Sequence, residues 1–303
     1  MDVRQLQYFL RIVDNGSVHR AAESLFVAQP SVSQGLRALE RDLGTQLFHR
    51  TGRHLVLTAA GETLIEPARE VIRWMELART VVDATDGLHV GRLVVASMPS
   101  QAASPLAGLI AAFARRHPGV EVSVRAAATP DDVVDILRTG EAELGVIASP
   151  GSPIVRDRLV VHPLETQPFV LVARDESELS GGSGPVRPGD LPGVRLIVGQ
   201  RGTGMRRAAD AILAASPGSR IGVEIEHREA LLPLVLSGAG VAVVAESWEG
   251  LAESAGLTVR PLDGADELHV VLAHRSARLS PAAEAFLAVA VPADSSEAGM
   301  SQF

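Results

Sequence analysis

The chain of 303 residues has no cysteine, and none of its 28 basic residues is lysine; all are arginine. Without cysteine there are no disulfides and no thiolate metal sites. The lack of lysine fits a coding sequence of high GC content and carries no mechanism. Also missing is any apolar run long enough to cross a bilayer. The start, MDVRQLQYFL, has no basic segment followed by an apolar stretch, so the sequence reads as cytoplasmic, with no secretory signal and no membrane partner. Catalytic signatures are absent as well. There is no G-x-S-x-G elbow and no H-E-x-x-H, and the nine His are scattered without ligand spacing. The expectation is a non-enzyme that holds no metal and no cofactor.

What is present suffices for more than one domain, at 46% hydrophobic and 21% charged residues. The net charge of −8 argues against a nucleic-acid partner, but it is unevenly spread. Residues 1–60 carry seven Arg against five carboxylates, so the acidic excess lies in the rest of the chain. Such asymmetry hints at a nucleic-acid-binding end on an otherwise acidic protein.

Within those sixty residues Leu6, Phe9, Leu10 and Val13 have helical spacing, and Asn15-Gly16 stops that helix. Ser17 is placed to cap a second helix through Ala21, Ala22 and Leu25. After a short turn a third helix is expected over 30–43, with Pro30 at its first position and Gly44 as its stop. Val32, Leu36, Leu39 and Leu43 form its core stripe, while Ser31, Ser33, Gln34 and Arg37 point away. Hydroxyl, amide and guanidinium groups near a helix start suit major-groove readout and phosphate contact. By itself such a face is also that of any solvated helix; the three-helix context and the hairpin that follows favour DNA. That hairpin, FHRTGRHLVL, turns at Thr51-Gly52 with Arg50 and Arg53 near its tip, a basic wing.

The run AAESLFVAQPSVSQGLRALERDLGTQLFHRTGRHLVLTAAGE resembles the N-terminal signature of LysR-type transcriptional regulators. The likeness rests on Ala21-Ala22, Leu25, Gln29-Pro30-Ser31, Ser33, Leu36, Leu39-Glu40, Leu43-Gly44, Leu47-Phe48, Arg50 and Leu57-Thr58-Ala60-Gly61. It implies DNA contacts from Gln29, Pro30, Ser31, Ser33, Gln34, Arg37, Arg50 and Arg53. Two positions depart from the pattern: Gly35 stands where a longer polar residue is common, and so offers no side chain to DNA, and His19 replaces the usual Ser or Thr.

From Thr58, a plausible cap, helical character continues to about Asp86, with Gly87 as a stop. Leu64, Ala68, Val71, Met75, Ala78 and Val82 alternate four and three apart, a coiled-coil seam. Pro67 is expected to kink this helix. The resemblance implies that the family dimerises here.

After a hinge-like connector at 87–91 two β-α-β-α-β halves follow. Strands are expected at 93–97, 120–125 and 144–148, then at 195–198, 223–226 and 241–245. Helices fall near 106–115, 130–139, 204–215 and 229–237. Further β-prone runs lie at 160–161, 169–172, 257–260 and 269–273, before a last helix near 282–289. This predicts two parallel-rich sheets covered by helices, with crossovers near 163–168 and 262–269.

The whole is read as an N-terminal winged helix-turn-helix (1–58), a linker helix (59–87) and a C-terminal α/β domain (88–292). A flexible tail follows at 293–303. The resemblance implies that the α/β domain is a periplasmic-binding-protein-like effector domain of two subdomains. The first subdomain takes residues 91–164 and 267–292, the second 165–266. Ligands in such folds sit at the carboxyl ends of strands. The candidates are Ser100 and Gln101, Thr129 at a helix start, and the loop with Gln200, Arg201 and Thr203, where a carboxylate or other small anion would fit. The function expected is a regulator that binds double-stranded promoter DNA as a homodimer or homotetramer and answers to a small-molecule effector. Two rivals stay open: an α/β ligand-binding protein whose N-terminal helices serve assembly, and a regulator that answers to no ligand.

Overall fold

The computed structural model describes residues 1–51, 54–83, 91–151, 159–179 and 184–291. They form two compact units, one of residues 1–91 with 138–141 and one of the remaining chain.

In the first unit, local chemistry sets most helix ends. The Asp2 carboxylate accepts from Gln5 N at 2.8 Å and Gln5 Oε1 accepts from Asp2 N at 2.9 Å, a reciprocal cap on α1 (Val3–Asn15). Gly16, at φ 69°, ends α1; the Ser17 hydroxyl then caps α2 (Val18–Ser24) from Arg20 N at 3.1 Å. Helix α3 (Gln29–Leu43) begins one residue before Pro30, because Ala28 takes the extended cap conformation. Gly44 closes it at φ 68°. Strands β1 (Phe48–Thr51) and β2 (His54–Leu57) pair antiparallel as the wing. The Thr58 hydroxyl accepts from Gly61 N at 3.1 Å and opens α4 (Ala59–Asp83).

Helix α4 is continuous through Pro67, the position at which the sequence predicts a kink. Pro67 is exposed, so water can serve the carbonyl it leaves unbonded. The expected end at Asp86-Gly87 and the connector up to residue 90 lie outside the described residues, as does the tail from 293 on.

The core of this unit is Leu6, Phe9, Leu10, Ile12, Ala21, Ala22, Val32, Leu36, Leu39, Leu47, Phe48 and Ala68. Ile12 is buried where Val13 was expected, and Val13 only packs against the margin. Leu43 is exposed: the last turn of α3 has run past the helices that cover its stripe.

The second unit holds two five-stranded sheets. The first half of the chain supplies β3 (Gly91–Ser97), the short α5 (Pro99–Gln101), α6 (Ala107–Arg116), β4 (Val120–Ala126), α7 (Pro130–Thr139), β5 (Leu144–Pro150) and β6 (Leu159–Gln167). The second half supplies β7 (Phe169–Ala173), β8 (Arg195–Val198), α8 (Gly204–Ala215), β9 (Arg220–Glu224), α9 (Leu231–Leu236), β10 (Val241–Ala245), α10 (Glu249–Ser254) and β11 (Thr258–Pro261). The chain then returns through β12 (Leu268–Arg275) and α11 (Pro281–Ala290). Strand orders are β4-β3-β5-β12-β6 and β11-β7-β10-β8-β9.

The sheets are mixed, not parallel-rich. β3 pairs β5 in parallel and β8 pairs both β9 and β10 in parallel. β12 runs antiparallel to β5 and β6, and β7 antiparallel to β10 and β11. The antiparallel strands β7 and β12 are the first that the chain lays down after crossing from the other sheet. β6 stays in the first sheet through Gln167, past the boundary expected at 164, which leaves Pro168 as the first crossover. The second lies between β11 and β12. Edge strand β9 sits about three residues earlier than expected, where a Cβ on Gly222 would stand 2.4 Å from Arg195 Cγ of β8.

Candidate nucleic-acid interface and ligand cleft

On α3 the residues Gln29, Pro30, Ser31, Gln34 and Arg37 are exposed and Ser33 is half-buried. They surround the helix start, where Ala28 offers no side-chain cap. Pro30 has no N–H and Ser31 N donates to Ala28 O at 2.9 Å, so this end presents its side chains more than free amides. Gly35 is turned elsewhere. A Cβ there would stand 2.4 Å from Tyr8 Cδ2, so the glycine lets α1 lie against α3, and a longer residue would meet α1 and not DNA.

The wing is held to this helix by a residue that the sequence reading assigned no role. Glu40 Oε1 accepts from Leu47 N at 2.9 Å, tying the last turns of α3 to the start of β1. The Thr58 hydroxyl donates to Gln46 O at 2.7 Å on the other side. At Gly61 a Cβ would meet Leu47 O at 2.2 Å, so α4 and the wing touch backbone to backbone. Arg50 sits in β1 opposite Leu55. Nothing is described of its side chain, and Arg53 lies outside the described residues.

The seam divides. Leu64 and Ala68 pack into the unit's own core, and Ala68 is fully buried there, so neither is free for a partner. Val71, Met75 and Ala78 are exposed, joined by Trp74 at 46% exposure. Spacings of three and four put these four on one face. The Val82 side chain is outside the described set.

In the second unit Ser100 and Gln101 are buried at the carboxyl end of β3. Ser100 Oγ accepts from Arg228 Nη1 at 2.6 Å, a bond from the β3 sheet's side to the β8 sheet's side. Gln101 Oε1 and Trp248 Nε1 are buried with no hydrogen-bond partner. The turn Glu246–Trp248 packs against residues 102–106, so it too spans the two halves.

The other candidates fare differently. The Thr129 hydroxyl is engaged with Asp132, donating to its carboxylate at 2.8 Å at the start of α7. Thr203 is buried and caps α8, accepting from Arg206 N at 3.3 Å and donating to Gln200 O at 2.8 Å. Both hydroxyls are thus spent on their own helices. Gln200 is half-buried and Arg201 is exposed. The cation bonded to Ser100 is Arg228, 7% exposed, a residue to which the sequence assigns no role. Burial pulls its pKa below the usual arginine value. One arginine among 28 carries no local signal of burial.

Two family models match the chain: the bacterial regulatory helix-turn-helix protein, lysR family, over residues 3–62, and the LysR substrate binding domain over residues 86–294. The transcriptional regulator IlvR of Caulobacter vibrioides is 30% identical over 83% of this chain and 85% of its own length. TdfR of Cupriavidus pinatubonensis, another transcriptional regulator, is 30% identical over 96% of this chain and 98% of its own. Among solved structures, full-length OxyR from Pseudomonas aeruginosa covers 96% of this chain and 93% of its own at TM-score 0.70 and 23% identity. CbnR in complex with its target DNA covers 96% and 99% at TM-score 0.65 and 24% identity. At these identities the two structures speak for the fold.

Proposed function

On the premise that this chain belongs to the LysR family of bacterial helix-turn-helix regulators, we propose that it reads promoter DNA through α3 and the wing as a homo-oligomer, under control of a small-molecule effector. The carrying observation is the uncapped, exposed polar start of α3, with Gln29, Pro30, Ser31, Ser33, Gln34 and Arg37 around it and the wing fastened beside it by Glu40. Arg50 and Arg53 belong to this reading as backbone contacts from the wing. The solved CbnR complex with target DNA supports it by analogy of fold.

Pairing is assigned to Val71, Trp74, Met75 and Ala78, with Val82 continuing the stripe. A two-fold pair of wings calls for a pseudo-palindromic site. The effector belongs in the cleft that Ser100 and Gln101 share with the β8 half. Regulation, not catalysis, is the activity proposed. No helix among the described residues is long and apolar enough to cross a membrane, and a DNA reader works in the cytoplasm.

Fluorescence anisotropy at fixed salt, with the intergenic duplex upstream of the gene against a random duplex, tests the reading. Arg50→Ala should weaken both, as loss of a phosphate contact does; Gln34→Ala should mainly change sequence preference. Equal wild-type affinity for the two duplexes would sink the proposal.

A further inference from the structure

Among the described residues of the second unit three arginines are buried, and the structure treats them unequally. Arg206 donates to Asp210 at 2.9 Å, to Glu224 at 2.9 Å and to Gly199 O at 3.2 Å. Arg260 donates from Nε to Gly184 O at 2.9 Å. Arg228 meets one neutral hydroxyl, Ser100 Oγ, and among the described residues no carboxylate stands within ion-pairing distance of it. A guanidinium carries five N–H donors and keeps its charge in proteins. Buried charges are ordinarily paired, because an unpaired one forgoes its hydration without recompense.

Close along the chain to the Arg228–Ser100 bond lies Gln101, whose Oε1 has no partner, and in the turn packed on residues 102–106 lies Trp248, whose indole N–H has none. Buried polar atoms without partners are rare and call for an absent one. The set is complementary in kind: a cation and an indole N–H to donate, a serine hydroxyl, and a primary amide that accepts.

We infer that Arg228 anchors the carboxylate of a small organic acid in the cleft, and that the acid also carries a hydroxyl or amino group to meet Gln101. The inference rests on the effector-cleft reading above and narrows it to a chemical class and to an anchor other than Arg201. Ser100 positions the guanidinium when the cleft is empty and turns its own proton to the carboxylate when it is filled. Because Arg228 and Ser100 come from opposite halves, an acid seated between them changes the contact that joins the halves, and binding is coupled to their relative disposition.

The test uses the full chain carrying Trp74→Phe, which leaves Trp248 as the only tryptophan, with the untouched chain run beside it for thermal midpoint and light scattering because Trp74 lies on the pairing stripe. Glycolate, lactate, malate and citrate, with their neutral amides as matched controls, are titrated at constant ionic strength, and Trp248 emission and thermal midpoint are read. At least one acid should give a saturable change that its amide does not. Arg228→Gln should weaken that acid by about tenfold to a hundredfold, the range for a charged hydrogen bond, and Arg228→Lys should restore part of it. A second readout needs no ligand. Arg228→Met in the empty protein should keep or raise the thermal midpoint, since it removes an unpaired buried charge. A lower midpoint means that Arg228 serves folding and overturns the assignment. A saturable response to the amides, unchanged in Arg228→Gln, would keep the cleft and discard the acid. No response to either class discards both.

Discussion

Replacing Gly61 with Ala should destabilise the first unit, although the same change inside an unobstructed helix stabilises. Ala is favoured over Gly in a helix interior by about 1 kcal/mol. Against that, the new methyl would stand 2.2 Å from Leu47 O, more than an ångström inside normal contact. Leu47 is pinned from two sides: its N–H donates to Glu40 at 2.9 Å and its carbonyl accepts from Thr58 N at 3.0 Å. Relief must come from moving backbone and weakening one of these bonds. Overpacking costs roughly 1–3 kcal/mol and a lost hydrogen bond about 1 kcal/mol. The net is a loss of about 1–3 kcal/mol, a fall of roughly 0.5–1.5 M in the urea midpoint of the first unit. The control is Gly108→Ala, at the start of α6 with nothing within 4 Å of the new methyl, which should be neutral or gain up to about 1 kcal/mol. Urea melts of both full-length variants, followed by tryptophan emission and far-UV circular dichroism, give the comparison. A Gly61→Ala protein as stable as wild type would refute the argument, because it would mean that propensity outweighs the contact.

Phe26 is 98% exposed and holds φ at 54°, a conformation costing a non-glycine residue roughly 1–2 kcal/mol. Phe26→Gly should therefore raise the thermal midpoint, and a fall would show that the side chain has a folded-state contact. The exposed stripe on α4 predicts that Trp74→Glu lowers the assembly state in light scattering; an unchanged mass would place the pairing surface elsewhere. His162 and His274 face each other on β6 and β12 with Nε2 atoms 3.1 Å apart. Burial lowers both pKa values, and for His162 the neighbouring His274 lowers it further. Since the folded pKa lies below the unfolded value near 6.5, the unfolded chain binds more protons between the two. Stability is then full above about pH 6.5 and falls as pH drops through the depressed folded value. His162→Phe should flatten that decline in thermal melts at pH 5 to 8, and an unaltered slope would clear the pair of responsibility.

The sequence by itself determined the features decided within a few residues of chain. Ser17 as a cap, Gly16 and Gly44 as stops, Thr58 opening α4 and the bounds of α7, α8, β8 and β10 were all legible, because capping, left-handed glycine and hydrophobic period act over one or two turns. The polar face of α3 was legible for the same reason: periodicity separates it from Val32, Leu36 and Leu39. Tertiary structure decided what depends on distance through space. Leu64 and Val71 have the same pattern along α4, yet one closes a core and the other meets water, because α1–α3 cover only the helix's first half. Gly35 looked like a gap in a DNA-reading face until Tyr8 was found against it. Arg201, beside a helix start, stands out in the sequence but is exposed, whereas Arg228 is buried and bonded to Ser100, 128 residues away in the chain. Burial and long-range pairing leave no mark on the residues next to them in the chain, and only the folded arrangement assigns them.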